Sequence, residues 1–87
     1  MKIYYTLEFA RQVERASTRH QNIVKMIARY VETHSLSEIF NHPRIGPHKI
    51  REPDLYRFHF EELRVLASLK SDQSGQFWIF SQLEEHP

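Results

Sequence analysis

Three stretches near the C-terminal end, Leu55 to Phe60, Leu63 to Leu69 and Gln76 to Leu83, are dense in aromatic and β-branched residues. Only Glu61-Glu62 separates the first two, and Ser71-Asp72-Gln73-Ser74-Gly75 the last two. Connections this short join antiparallel hairpins and exclude the long crossovers that parallel strands need. The economical packing covers one face of such a meander with the helices of the N-terminal half.

That half reads as one strand and two helices. Ile3, Tyr4 and Tyr5 suit a strand from Lys2 to Thr6, and Thr6 is a suitable cap for the next segment. From Leu7, the residues Phe9, Val13 and Ala16 recur at helical spacing until Ser17 and Thr18 interrupt and cap a second helix. Between Thr18 and His34, the residues Ile23, Ile27, Tyr30, Val31 and His34 form an amphipathic stripe that packs this helix antiparallel to the first. Asn41, Pro43, Gly46 and Pro47 then require a loop. Ser35 and Glu38 have capping-box spacing, with room for only a short turn before Pro43. His48 to Arg51 offers a further strand. The expected fold is α+β: two N-terminal helices packed on a small, mostly antiparallel sheet, in the order β-α-α-β-β-β with one optional strand more. Its core is expected to hold Ile3, Tyr5, Phe58, Phe60, Val65, Ala67, Ile79 and the helix stripe. Phe77, Trp78 and Phe80 are read as core rather than as base-stacking platforms.

Eighty-seven residues make one domain, 1–87. The absence of cysteine excludes disulfides and thiolate metal sites. No apolar run approaches the ~20 residues of a membrane helix, and the N-terminus lacks a signal-peptide core. A complete, soluble, cytoplasmic protein without membrane contact is expected. The net charge of +1 is uninformative, since phosphate binding follows local cations. Between Arg44 and Arg64 lie Arg44, Lys49, Arg51, Arg57 and Arg64 with His48 and His59, against Glu52, Asp54, Glu61 and Glu62. Strand alternation sorts part of this mixture: Leu55, Arg57 and His59 share one face, and Tyr56, Phe58 and Phe60 the other. A cationic face is thereby presented and an aromatic one buried, with Tyr56 at the rim beside Arg57.

The segments Asn41-His-Pro-Arg-Ile, Lys49-Ile-Arg, Pro53-Asp-Leu-Tyr-Arg-Phe-His and Leu63-Arg-Val-Leu, in this order of elements, resemble the RelE/ParE superfamily of toxins of toxin–antitoxin systems. The resemblance is nearer to the RelE branch and spans essentially the whole chain. It implies a microbial-RNase-like fold, a cognate antitoxin partner and, for the RelE branch, metal-independent cleavage of messenger RNA on the ribosome without a cofactor. Arg57 and His59 fall where that branch places two cationic strand residues, and Arg64 falls on its recurring strand arginine. Lys49 and Arg51 match basic positions that contact ribosomal RNA, with Arg44 and Tyr56 as further RNA-binding candidates. The terminus departs from the pattern, ending Gln82-Leu-Glu-Glu-His-Pro without arginine or tyrosine and leaving His86 as the candidate terminal acid.

Cleaving RNA through its own 2′-hydroxyl needs a base, cations for the phosphorane and an acid for the 5′-oxygen. The assignment is Arg64 as transition-state clamp, Arg57 as phosphate positioner, His59 as base or positioner and His86 as acid. The structural rival for Arg64 is an ion pair with Glu61 or Glu62. Glu84 and Glu85 repel phosphate, accept protons or face solvent. His20, His34, His42 and His48 read as surface or capping residues, and no spacing suggests a metal site. Two other functions stay open: a ParE-like toxin that inhibits DNA gyrase, and an inactive member that only binds an antitoxin.

Overall fold

The computed structural model describes residues 1–86. Its elements are β1 (Lys2–Tyr5), α1 (Leu7–Arg15), α2 (Thr18–Thr33), α3 (Leu36–Asn41), β2 (His48–Arg51), β3 (Leu55–Phe60), β4 (Leu63–Asp72) and β5 (Gly75–Glu85). They form a five-stranded sheet in the order β1-β5-β4-β3-β2. The four C-terminal strands pair antiparallel, and β1 joins β5 in parallel at the far edge.

Side-chain caps set the helix starts. Thr6 Oγ1 accepts the Phe9 N–H at 3.1 Å, and Ser17 Oγ accepts the His20 N–H at 3.1 Å. Ser35 and Glu38 close a reciprocal capping box, with contacts of 3.2 and 2.9 Å. This box starts a six-residue helix rather than the expected bare turn, because the chain has room to wind as far as Asn41 before Pro43. The β4 and β5 strands are also longer than expected. Asp72 Oδ1 accepts the Ser74 N–H and hydroxyl at 2.8 Å each, and Gly75 adopts φ +121°, so Gln73 and Ser74 alone make the turn.

The helices lie over one face of the sheet. Phe9, Ile23, Val24, Ile27, Ala28, Val31 and Ile39 pack with Ile3, Phe58, Leu63, Val65, Ala67, Trp78 and Phe80 in one core. Four residues expected in the core, Tyr5, Phe60, Phe77 and Ile79, fall outside its buried set. Tyr5 stays 49% exposed although it stacks on Phe9, because β1 is a short edge strand. Ile79 lies opposite Ser68, on the face away from Trp78 and Phe80. Phe60 is only half-buried, its ring covered by the Arg44 guanidinium at 4.6 Å. Phe77 likewise lies outside the core, meeting Tyr4 edge to face, whereas Trp78 and Phe80 are fully buried as expected.

Candidate functional site

The sheet face turned away from the helices carries the cationic residues. Phe58 lies opposite Val65 in the core, so alternation sends Arg57 and His59 to the open side, where they meet Leu66 and Arg64 across the ladder. One register row reads His59, Arg64, Glu84; the next reads His48, Arg57, Leu66, Gln82. Arg51 lies opposite Leu55 and so shares this face.

Both arginines are available to a ligand. Among the described residues neither Arg57 nor Arg64 has a carboxylate within ion-pair distance. Arg64 Nη1 donates to the Glu61 and Leu63 carbonyls at 2.6 and 2.8 Å, which fixes the guanidinium and leaves its other donors unused by those bonds. The carboxylates expected to neutralise it are held by α2. Arg19 bonds Glu61 at 2.7 Å and also bonds Glu62, which accepts His20 Nε2 at 2.7 Å. Hydrogen bonds from Arg19 and then from His20 hold the Glu62 carboxyl down at about 2. His59 is shifted below the usual imidazole value, first by burial and then by repulsion from His48, Arg64 and Arg57. An imidazole kept neutral in this way is a proton acceptor beside two guanidinium groups that have no carboxylate partner among the described residues.

The other expected site residues are spread around this centre. Lys49 lies opposite Tyr56 on the helix-side face, its ammonium 2.9 Å from Glu52 and 5.8 Å from the Tyr56 ring centre. Tyr56 is half-buried there against Phe40 and Trp78, on the opposite side of β3 from Arg57. Arg44 covers Phe60 on that same side. His86 follows the end of β5, and its N–H donates to the Glu62 carbonyl at 2.6 Å, beside the turn that anchors Arg64.

Glu84 and Glu85 part company. Ser81 forms a bulge between the Leu66–Gln82 and Ala67–Phe80 pairs, held by its Oγ on the Leu66 carbonyl and by Thr6 Oγ1 on its own carbonyl, both at 3.2 Å. The extra residue sends Leu83 toward the core and Glu84 onto the open face opposite Arg64. Glu85 goes to the helix side, where donor atoms of His20, Glu62 and Glu85 lie within 4.8 Å of one another. Sequence spacing gave no sign of this cluster, since its members come from three separate elements. Both Glu62 oxygens are already engaged by Arg19 and His20. A concavity of about 550 Å³ lined by Gln12, Arg15, His20, Leu83 and Glu85 lies on this helix side as well, away from the cationic face.

The residue that sequence reasoning passed over is His48. Its ring stacks on that of His59, with centroids 4.9 Å apart and planes inclined by 13°. His42 and His34 do have the structural roles expected of them: His42 Nδ1 accepts the Arg44 and Ile45 N–H groups at 3.0 and 2.9 Å, and His34 Nδ1 lies 2.9 Å from the Tyr30 carbonyl. The only sequence signal for His48 was its place at the start of the optional strand His48 to Arg51.

Three capped helices over a meander, with β1 closing the sheet in parallel beside β5, make up a fold shared with a solved toxin structure. The solved structure of a YoeB/ParE toxin from Agrobacterium tumefaciens is similar over 100% of both chains, with a TM-score of 0.64 and 18% sequence identity. No protein-family model and no curated protein sequence matches the chain.

Proposed function

We propose that the protein is the toxin of a toxin–antitoxin pair and acts as an endoribonuclease on messenger RNA at the ribosome. The observation that carries this reading is the grouping of Arg57, His59 and Arg64 on one open sheet face, with both guanidinium groups free of carboxylate partners among the described residues. In this reading His59 removes the 2′-hydroxyl proton, and the oxygen attacks the adjacent phosphorus. Arg64, already fixed by two carbonyls, stabilises the charge that grows on the non-bridging oxygens. Arg57 positions the phosphate, and Arg51 extends the cationic surface toward the flanking RNA. Lys49 and Arg44 serve at the rim as contacts to ribosomal RNA, and the antitoxin covers the cationic face. None of these steps needs a metal or cofactor. Among the described residues no helix is long and apolar enough to cross a membrane, and the proposed site of action is the cytoplasm.

A second reading is a ParE-like toxin that inhibits DNA gyrase, and Glu84 favours it, because a carboxylate opposite Arg64 opposes phosphate binding. Wild type and Arg64→Ala are to be expressed in growing bacteria with primer extension on a reporter message. Ribosome-dependent cuts with the wild type, reduced ~10²–10³-fold in the variant, are expected. An intact message together with a DNA-damage response would transfer the assignment to the gyrase reading, and unchanged growth and message would remove both.

A further inference from the structure

The described ring nitrogens of His20, His34 and His42 are engaged by Glu62, the Tyr30 carbonyl and the Arg44–Ile45 turn respectively. His48 and His59 make no such bond among the described residues; their rings rest on each other, on the open face that carries Arg57 and Arg64. A stack of two imidazoles beside two arginines adds no stabilising charge to the fold, and among the described residues it has no carboxylate partner to account for it. It places two acid–base groups beside two phosphate-binding cations.

We propose that His48 is a catalytic residue, the general acid that pairs with His59 as general base in RNA cleavage. The inference rests on the endoribonuclease reading and goes beyond it by moving the acid from the terminal His86 to the edge strand. His59 takes the proton from the 2′-hydroxyl as that oxygen bonds to phosphorus. The P–O5′ bond then breaks, and its electron pair takes up the proton of His48. The products are a 2′,3′-cyclic phosphate and a 5′-hydroxyl, and proton exchange with water returns both rings to their starting states. The two apical oxygens of the phosphorane are a few ångströms apart on opposite sides of phosphorus. Two near-parallel rings at this spacing can each present a nitrogen to one of them.

The division of labour comes from the surroundings of each ring. His59 is half-buried on β3, with Arg57 on its own strand and Arg64 opposite it on β4. His48 is exposed on edge strand β2, opposite Arg57, with Lys49 and Arg51 on its own strand and Glu84 beyond Arg64 on β5. Burial and the neighbouring cations shift His59 below the ordinary imidazole value, so it is the ring that takes the proton, and His48, exposed at the edge, is placed to donate to the leaving oxygen.

The test uses ribosomes programmed with a message that has either an ordinary linkage at the cleaved position or a bridging 5′-phosphorothiolate, whose sulfur leaves without needing a proton. His48→Ala is expected to lose about 10²–10⁴-fold on the ordinary linkage and to return to near wild-type rate on the sulfur linkage, while His59→Ala stays slow on both. The acidic limb of the pH–rate profile should persist in His48→Ala, and the alkaline limb should vanish. The assignment falls if His48→Ala cleaves the ordinary linkage within about threefold of wild type, if sulfur fails to restore it, or if sulfur restores His59→Ala or His86→Ala instead. Wild-type cleavage with any of those results overturns only the role of His48. A wild type that cuts neither message overturns the nuclease reading as well. His48 is exposed and its ring makes no hydrogen bond among the described residues, so the variant is expected to melt with the wild type, and matched melting curves show that lost rate is not lost fold.

Discussion

Gly46→Ala is the substitution whose cost can be built most directly from the structure. A Cβ at Gly46 would lie 2.5 Å from the His42 carbonyl oxygen, 3.2 Å from that of Phe40 and 3.4 Å from that of Ile39. These are backbone atoms at the end of α3, and the nearest also accepts the Gly46 N–H at 3.1 Å. The loop cannot simply withdraw, because Ile45 is 4% exposed and Pro47 is buried. Relief therefore requires moving the end of α3, breaking the His42–Gly46 bond or drawing Ile45 out of the core. Overpacking of this kind costs about 1–3 kcal/mol. At ~2 kcal/mol, a domain of this size should melt about 8–16 °C lower. The urea midpoint should fall by roughly 1–2 M at an unchanged slope. Because Gly46 lies two residues before His48, the damage should reach the site. His59, freed from part of the repulsion by His48, should titrate closer to the ordinary imidazole value when followed by NMR. A variant within about 0.5 kcal/mol of wild type would refute the reasoning, since surface substitutions free of such contacts fall in that range.

Two further perturbations test how the site is supported. Thr6→Ala removes both the α1 cap and the donor to the Ser81 carbonyl, and should cost about 1–2 kcal/mol in thermal or chemical denaturation; an unchanged stability would show that neither bond matters. Glu62 has a folded value of about 2 against an ordinary 4.5, so its contribution to stability is complete above 4.5 and is lost as pH falls through about 2. Glu62→Gln should accordingly flatten the stability profile across that window, and an acid limb as steep as that of wild type would count against the Arg19–His20–Glu62 cluster.

Much of the fold was legible because local signals were strong. The β3 boundaries and the opposition of Arg57 and His59 to Phe58 follow from period-two alternation, and Thr6 and Ser17 stand where capping chemistry puts them. The third helix was legible only as a capping box, since propensity does not say whether six residues before a proline wind or turn. Tyr5 and Ile79 were misplaced because burial depends on which edge a strand occupies and which face its neighbour presents.

The sequence alone determined β1, the two long helices and their caps, the three strands of the meander and the two-faced character of β3, all consequences of contacts within a few residues along the chain. Tertiary structure decided the composition of the site. Cross-strand register placed His48 against His59, and the Ser81 bulge separated Glu84 from Glu85. The packing of α2 against the β3–β4 turn gave Glu61 and Glu62 to Arg19 and His20, and so left Arg64 without an ion-paired carboxylate among the described residues. The physical reason is the same in each case. A strand's faces repeat every two residues, so one bulge or one step of register exchanges them, and the partner that fixes the register is remote in sequence.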